Sequence, residues 1–439
     1  MVERPIDRVV DLTDPDANRI LGMSAEEARR RVAGGGADAV REIEGSFALV
    51  GCEGQTVRMA RSLDRPMRYF LAKQASGPVL FVSDRIDAIG AALAAEGLAD
   101  QFHPSYTRMV PAHHIVEIRL VGCPDPDAVH SRFFTPPRDA FPSAVEEIGV
   151  RYLSTLSAEI EKWLRSIPSD APVGVLFSGG VDSGAVFLTT WRLFRTLGLA
   201  PTRLKAFTLS VEGGEDLGQA RDFLRRLGLE LFHEPIEVAA DSVDPFEAVR
   251  VVEDYKPLDV ECAAMSLALC RGIRELYPEW RFLLDGDGGD ENLKDYPIEE
   301  NPELTIRSVL NNPLLYQEGW GVGTLKHSRT YSGGQSRSYA RTWAPLRRYG
   351  FEGFSPFTRP TVVAAAEGIP FIEMTGYDVS RLYELKGEIV SEGVRQVIGV
   401  EMPVFPKRRF QHGAISAGQR RRLAFTEADY RAHFASLHA

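Results

Sequence analysis

Cysteine is scarce in this chain, and its spacing excludes several kinds of site. The 439 residues include four cysteines, namely Cys52, Cys123, Cys262 and Cys270. No two of them have the C-x-x-C spacing that structural zinc sites and dithiol redox motifs use. The spacing therefore disfavours a zinc or redox site, and isolated thiols of this kind are usually buried. A chain with so few cysteines is typical of a reducing compartment.

Signals for membrane insertion and export are also missing from the sequence. No apolar run approaches the roughly 20 residues that a membrane helix needs, and the residues after Met1 lack the apolar region of a signal peptide. The formal net charge of −10 disfavours broad binding to nucleic acid. We therefore expect a cytoplasmic protein with neither nucleic-acid nor membrane partners. With 44% hydrophobic residues, a chain of this length is sufficient for two hydrophobic cores.

The most informative segment that is present is a glycine-containing loop, Ser178 to Ser183. It follows the apolar run Val173 to Phe177 and precedes an apolar segment typical of a helix. A strand that ends in a glycine turn and opens a helix can hold phosphate, because successive backbone N–H groups and the helix N-terminus face one anion. Asp182 would repel a bare phosphate. The loop therefore predicts a nucleotide bound with a cation such as Mg²⁺.

A second acidic and glycine-rich segment, Asp285 to Glu291, follows the apolar run Phe282 to Leu284. It does not fit a calcium-binding EF-hand loop, which would need a ligand at position 289 and glycine at 290, where Gly289 and Asp290 stand. In an open parallel sheet the carboxyl ends of the strands meet at one edge. Asp182 and Asp290 are therefore predicted to share cations bound to one triphosphate.

Strands and helices alternate in the middle of the chain, which is the order of a parallel sheet with crossover helices. The predicted strands cover 173–177, 204–211, 230–235 and 281–284, and the predicted helices cover 144–167, 183–197, 216–227 and 261–277. A proline-dense linker at 136–143 separates an N-terminal domain, 1–135, from a C-terminal domain, 144–430, whose last part is expected to be helical. The polar stretch 326–341 predicts a loop over the site.

These segments carry a resemblance to a known family. Ser178 to Ser183 resembles the pyrophosphatase loop of N-type ATP pyrophosphatases, and Asp285 to Glu291 resembles the corresponding segment of asparagine synthetases, with Asp287 where that family has Glu. Lys407 to Gly413 is similar to the late segment whose lysine faces pyrophosphate. Arg341 with Gly350 to Glu352 and Pro356-Phe357 resembles the region between them. The likeness spans about 150 to 420.

The resemblance implies an α/β fold with a parallel-sheet ATP-pyrophosphatase domain, and a site for ATP and Mg²⁺. It implies that Asp182 and Asp290 bind the metal, and that Lys407, Asp287 and Glu352 are catalytic. Adenine is expected against the backbone of Phe177, Leu209 and Gly286. The residues implied to bind the nucleotide are Phe177, Ser178, Gly179, Gly180, Val181, Asp182, Ser183, Leu209, Asp285 and Gly286.

The N-terminal third resembles the latter half of a class II glutamine amidotransferase domain, which implies a partial Ntn-type β-sandwich. The matching segments are Glu44 to Val50, Ala60 to Arg65 and Val79 to Asp84. That domain uses an N-terminal cysteine whose α-amino group acts as the base, whereas Met1 is followed here by Val2. The first half of the domain has no counterpart. We therefore expect a degenerate domain without glutaminase activity.

The resemblance implies an ATP-dependent ligase that adenylates a carboxylate, releases pyrophosphate and lets an amine displace AMP. Without a glutaminase, we expect a specialised amide synthetase or cyclase, similar in logic to β-lactam synthetases. Its partners would be a small-molecule or peptide carboxylate, an amine, and either a second copy of the chain or a carrier protein. Two alternatives stay open: an ammonia-dependent asparagine synthetase, and a non-catalytic nucleotide-binding scaffold subunit.

Overall fold

The computed structural model describes residues 8–120, 127–296, 298–300, 305–311, 339–407, 409–416 and 425–438. The chain folds into two compact units. The first contains the described residues up to Thr135 and those from Ala432 onward, and the second contains those of 136–311 and 340–431. Most of the stretch 326–341, predicted as a loop over the site, lies outside the described residues. Among the described residues, no helix is both long and apolar enough to cross a membrane.

The first unit is built mainly from two four-stranded sheets. One sheet has the order β1-β7-β6-β8, the other has the order β10-β9-β5-β4, and β2 pairs with β3. Buried side chains of both sheets, such as Val50 and Met59 on one and Leu80 and Val82 on the other, pack in one core. This is the sandwich that the sequence predicts. The strands are β1 (Val9–Asp11), β2 (Arg19–Leu21), β3 (Glu44–Ser46), β4 (Ala48–Glu53), β5 (Thr56–Arg61), β6 (Arg68–Gln74), β7 (Gly77–Ser83), β8 (Arg108–Met109), β9 (His114–Arg119) and β10 (Val129–Arg132).

Three helices flank these sheets: α1 (Ala25–Gly34), α2 (Ala37–Arg41) and α3 (Ile86–Ala95). The start and the end of α1 follow from its sequence. Ser24 caps its N-terminus by accepting a hydrogen bond from Glu27 N, and Gly35 ends it with φ +71°.

The second unit contains a five-stranded sheet with the order β13-β12-β11-β14-β15. All neighbouring strands are parallel, as the alternation of strands and helices predicts. The strands are β11 (Val173–Leu176), β12 (Leu204–Val211), β13 (His233–Val238), β14 (Phe282–Leu284) and β15 (Glu352–Phe354). Because the strands are parallel, the residues that follow β11, β12, β14 and β15 lie along one edge of the sheet.

Helices cover this sheet and form most of the chain beyond it. They are α4 (Val145–Ser166), α5 (Val181–Thr196), α6 (Glu215–Leu227), α7 (Pro245–Val252), α8 (Pro257–Leu276), α9 (Gly289–Leu293), α10 (Ile306–Asn311), α11 (Ala344–Arg348), α12 (Pro360–Glu367), α13 (Phe371–Thr375), α14 (Val379–Val397) and α15 (Phe410–Gly413), with a π-helical turn at Tyr339–Trp343. A last described helix, α16, covers Glu427–Leu437.

Helices α4 and α14 cross at very close range. A Cβ added to Gly149 would lie 2.8 Å from Gly393 N, and a Cβ added to Gly393 would overlap the Gly149 carbonyl oxygen. The glycines therefore let the two backbones approach each other directly. Asp378 caps α14 by accepting a hydrogen bond of 2.8 Å from Ser380 N. The position of α14 matters because this helix contributes a buried lysine to the site.

The structure differs from the sequence prediction in three places in this unit. The strand predicted at 230–235 begins at His233, because Glu230–Phe232 forms a 3₁₀ turn in which Leu231 is exposed. Helix α7 was not predicted. The fifth strand, β15, was not predicted either, and it pairs with β14 from Phe282 to Leu284.

Candidate nucleotide and metal site

The glycine loop after β11 has the geometry of an anion cradle. Gly179 adopts φ +73°, which turns the chain sharply before α5 begins at Val181. Ser183 Oγ accepts a hydrogen bond of 3.3 Å from Ser178 N and lies 3.2 Å from Ser178 Oγ. Gly180 N in turn donates to Ser178 Oγ at 3.3 Å. These bonds hold the loop closed at the N-terminus of a 16-residue helix, where an anion is favoured.

The second glycine-rich segment lies directly against this loop. A Cβ added to Gly289 would overlap the carboxylate of Asp182, and one added to Gly286 would lie 2.9 Å from Ser183 N. No residue other than glycine fits at position 289 without moving Asp182. Residues 178–183 and 285–290, which the sequence predicts to share one edge of the sheet, therefore touch in the structure.

Two lysines and three aspartates form a compact group at this edge, called here the lysine–aspartate cluster: Asp182, Asp290, Asp295, Lys386 and Lys407. Lys386 Nζ donates to Asp182 Oδ2 at 2.6 Å, donates to Asp290 Oδ1, and lies 3.4 Å from Asp295 Oδ2. Lys407 Nζ lies 3.1 Å from Asp290 Oδ2 and 3.0 Å from Asp295 Oδ2. The structure thus brings together three predicted residues, Asp182, Asp290 and Lys407.

Sequence reasoning missed Lys386 and Asp295. Lys386 is only 5% exposed and lies on the apolar face of α14, between the buried Leu382 and Ile389. A lysine within an apolar helical stripe is unusual, and this feature of the sequence could have identified Lys386 as a candidate site residue. Asp295 gave no comparable signal, because it follows the second glycine segment in a short polar stretch.

The two predicted metal carboxylates have opposite electrostatic environments. Burial raises the pKa of Asp182 to about 7, although Lys386 opposes this shift. Burial also opposes ionisation of Asp290, but Lys386 and Lys407 together hold its pKa below the usual range. The pKa of Lys386 is raised despite its burial, because Asp182, Asp290 and Asp295 surround it. Asp290 is therefore charged at neutral pH, whereas burial makes Asp182 easier to protonate than an ordinary aspartate.

The residues present fit a magnesium ion. Asp182 Oδ1 is buried without a hydrogen-bond partner, and the ammonium group of Lys386 lies between Asp182 and Asp290, where a cation would be shared. Within the described residues, no group of three or more His, Cys, Asp or Glu side chains is arranged to bind a metal by itself. Nucleotide-bound Mg²⁺ needs only one or two carboxylates, because phosphates and water supply the other ligands.

Asp285 and Asp287 form a second acidic group behind the glycine turn. Ser355 Oγ donates to Asp285 Oδ2 at 2.8 Å, and Asp287 N donates to Asp285 Oδ1 at 2.9 Å. Thr342 Oγ1 donates to Asp287 Oδ2 at 3.0 Å. Burial, reinforced by Asp285, raises the pKa of Asp287 well above its usual value, although Arg341 opposes the shift. Asp287 therefore lies beside Asp285 in a buried acidic pair that favours the protonated form of its carboxyl group.

Two of the residues predicted to contact adenine, Phe177 and Leu209, lie at the same edge with buried side chains. The Phe177 N–H donates to Phe207 O at 2.8 Å, and the Phe177 carbonyl accepts from Thr208 Oγ1 at 2.7 Å. The Phe177 ring packs against Phe187 and Phe223 at 5.4 and 5.3 Å. These contacts hold Phe177 against β12, and the adenine contacts of Phe177, Leu209 and Gly286 stay a prediction.

The structure does not bring Glu352 to the site. Glu352 begins β15 and pairs in register with Phe282, the first residue of β14, so it lies at the amino edge of the parallel sheet. Its carboxylate pairs with Arg281. The prediction that Glu352 is catalytic is therefore corrected: the side chain is held in an ion pair at the opposite end of the strand.

The segment around Lys407 is fixed to the sheet by its own backbone. Val211 N donates to Ala414 O at 2.8 Å, next to a parallel bridge between Val211 and Ile415. A Cβ at Gly413 would overlap the Asp216 carboxylate. The glycine that ends this segment is therefore required by its close packing against α6. Arg408 lies outside the described residues.

Comparison with known proteins identifies the region that contains most of this geometry. Residues 163–365 match the family model for asparagine synthase. This part of the chain is similar to asparagine synthase. The matched region includes both glycine segments, and Lys386 and Lys407 follow it.

Curated relatives support the same assignment over parts of their length. Asparagine synthetase [glutamine-hydrolyzing] 2 of Lotus japonicus is 27% identical over 258 residues, which are 57% of this chain and 40% of the relative. Asparagine synthetase [glutamine-hydrolyzing] 1 of the same plant is 31% identical over 137 residues, 30% of this chain and 23% of the relative. The chain thus matches less than half the length of these asparagine synthetases.

Among solved structures, NMN synthetase from Francisella tularensis aligns with 60% of this chain and 99% of its own length. The alignment has 12% identity and a TM-score of 0.23. A similarity this weak says nothing about the reaction of this chain.

Proposed function

We propose that this protein is an ATP-dependent carbon–nitrogen ligase. A carboxylate oxygen of the substrate attacks the α-phosphorus of ATP and pyrophosphate leaves. An amine then attacks the activated carbonyl carbon and loses a proton; the bond from that carbon to the oxygen shared with phosphorus breaks, and AMP leaves with this oxygen. The proposal makes the protein a specialised amide synthetase or cyclase whose nitrogen comes from a supplied amine.

One observation supports this proposal above all others: the convergence of Asp182, Asp290, Lys386 and Lys407 at the N-terminus of α5. Such a group combines cation ligands, ammonium groups and backbone N–H donors within one anion cradle. A triphosphate needs all three, because it is highly charged and binds with a divalent ion. A simple phosphate-binding loop would need neither a pair of carboxylates nor a buried lysine.

The same groups suit the departure of pyrophosphate. Negative charge grows on the leaving group as the bond to the α-phosphorus breaks, and pre-placed positive charge stabilises that change. Lys386 is held by three carboxylates and Lys407 by two, so both ammonium groups are already oriented. Mg²⁺ bound by Asp182 and Asp290 would supply further charge neutralisation at the phosphate oxygens.

We propose further that the protein does not hydrolyse glutamine. In the described part of the first unit, Cys52 is the single cysteine, and desolvation, reinforced by Asp11, raises its thiol pKa. A nucleophilic cysteine needs the opposite shift. In the same unit, the Arg61 guanidinium donates to the carbonyl oxygens of Val110, Ser62, Leu63 and Arg65, so it serves the fold of this unit.

The test is to incubate the purified protein with ATP, Mg²⁺ and a panel of amino acids, small diacids and peptides. The proposal predicts pyrophosphate and AMP in equal amounts for at least one carboxylate, and a hydroxamate when hydroxylamine replaces the amine. The Asp290→Asn variant is the control for contaminating activities. Formation of ADP and phosphate would exclude the proposed reaction.

The nitrogen source is tested in the same assay. Glutamate released from glutamine at a rate comparable with ATP turnover would refute the absence of glutaminase activity. Asparagine formed from aspartate and ammonium more efficiently than any other product would instead favour an ammonia-dependent asparagine synthetase.

A further inference from the structure

Asp295 is the member of the lysine–aspartate cluster for which the proposed chemistry gives no role. Its Oδ2 lies 3.0 Å from Lys407 Nζ and 3.4 Å from Lys386 Nζ, and Lys407 also donates to its backbone oxygen. The two metal carboxylates, Asp182 and Asp290, are expected to turn toward a cation when nucleotide is bound. Asp295 alone would then keep contact with both lysines.

The fold holds Asp295 rigidly beside Asp290. Asp295 N donates to Asp290 O at 3.0 Å, and the intervening Lys294 adopts φ +58°, a backbone conformation that residues other than glycine rarely adopt. The Lys294 ammonium forms a 3.0 Å ion pair with Glu367, and both side chains are only 2% exposed. The turn that carries Asp295 is therefore anchored to α12 and cannot easily swing away from the lysines.

A carboxylate in this position competes with a phosphate for the same donors. Both are anions that accept hydrogen bonds from ammonium groups, and both would lie within hydrogen-bond distance of Lys386 and Lys407. The negative charge of Asp295 also repels any phosphate bound to those lysines. Its presence therefore weakens the binding of pyrophosphate.

We propose that Asp295 promotes the release of pyrophosphate. Its carboxylate pairs again with Lys386 and Lys407 as pyrophosphate leaves, and this limits how long the product stays bound. This inference rests on the proposed function. Asp295 would then set the balance between stabilisation of the departing pyrophosphate and its dissociation from the site. The chemistry needs both, because lysines that hold pyrophosphate too tightly would block the site for the next ATP.

The test measures binding of magnesium pyrophosphate by titration calorimetry to the wild-type protein and to the Asp295→Asn variant. Asparagine has nearly the same shape and keeps one acceptor oxygen for the lysines, but it lacks the charge. We expect at least about tenfold tighter binding, which is roughly 1.4 kcal/mol, and stronger product inhibition by pyrophosphate in the turnover assay. Asp241→Asn, which removes an exposed carboxylate from the same unit, is the matched control and should bind like the wild type.

A double variant tests whether Asp295 acts through the lysines. In a Lys407→Met background, Asp295→Asn should improve pyrophosphate binding at least threefold less than it does in the wild type. A melting temperature near that of the wild type shows that each variant is folded, and Asp295→Ser replaces Asp295→Asn if the latter fails this criterion.

Three results would overturn the inference. Unchanged or weaker pyrophosphate binding in a folded Asp295→Asn variant would show that Asp295 only orients the lysines. An equal gain in pyrophosphate affinity in the Asp241→Asn control would show that the effect comes from the net charge of the protein and not from the position of Asp295. If the wild-type protein binds no pyrophosphate, the proposed function fails, and the inference fails with it.

Discussion

Replacing Lys386 with methionine tests the central feature of the site, a buried ammonium group shared by three carboxylates. Methionine keeps most of the length and the apolar contacts of the side chain on α14 but removes its charge. Asp182, Asp290 and Asp295 would then face one another with only Lys407 to compensate. Lys386→Met should therefore destabilise the protein and abolish pyrophosphate release.

The expected size of the effect follows from the burial of these groups. Removing one partner of a buried ion pair costs about 3–5 kcal/mol. We expect a cost near the lower limit, because the Asp290 side chain is 31% exposed and water can partly solvate its charge. A loss of about 3 kcal/mol lowers the melting temperature of a domain of this size by roughly 5 °C. Millimolar Mg²⁺ should recover more of this loss in the variant than in the wild type, because a cation can replace the missing ammonium group.

The assay is thermal and urea denaturation with and without Mg²⁺, followed by pyrophosphate release. Lys162→Met is the matched control, since Lys162 forms an i,i+3 pair with Glu159 and is 40% exposed. Surface pairs of this kind contribute about 0–1 kcal/mol. Two results would contradict the arrangement of the lysine–aspartate cluster. One is a loss of stability in Lys386→Met no larger than in this control, and the other is an equal stabilisation of Lys386→Met and the wild type by Mg²⁺.

Three further predictions concern the same cluster. Asp182→Asn and Asp290→Asn should each reduce pyrophosphate release at least about tenfold, roughly 1.4 kcal/mol of transition-state stabilisation, and a variant that keeps more would exclude that residue as a ligand. Lys407→Met should lower turnover at least about a hundredfold while the ATP dissociation constant changes less than about tenfold, because its charge acts mainly on the leaving group; Arg409→Met is the neighbouring control, and equal behaviour of the two variants would assign Lys407 to a solvated surface. The pKa of Asp182 is raised to about 7 in the folded protein, so its contribution to stability is complete below its unfolded pKa of about 4 and is lost as the pH rises through about 7. In the metal-free protein, Asp182→Asn should flatten the dependence of melting temperature on pH between about 4 and 7, and an unchanged slope would contradict the raised pKa.

Local sequence patterns were sufficient for much of the site. The apolar run before Ser178, the glycine turn and the apolar segment after it predict strand, loop and helix, because hydrophobic runs and glycine act over a few neighbouring residues. The same pattern at Asp285, together with the alternation of strands and helices, predicts a parallel sheet whose carboxyl edge joins both loops. The contact between Gly289 and Asp182 agrees with that prediction.

Only the tertiary structure decided which distant charges meet at that edge. Lys386 contacts Asp182 across 204 residues of sequence, and no local pattern specifies such a contact, which depends on how α14 crosses α4 through Gly149 and Gly393. Glu352 shows the converse. Its place in a family-like segment favoured catalysis, but the register of β15 against β14 puts it at the amino edge of the sheet. The sequence by itself determined the loops and their order, whereas long-range packing and strand register determined which side chains share the site.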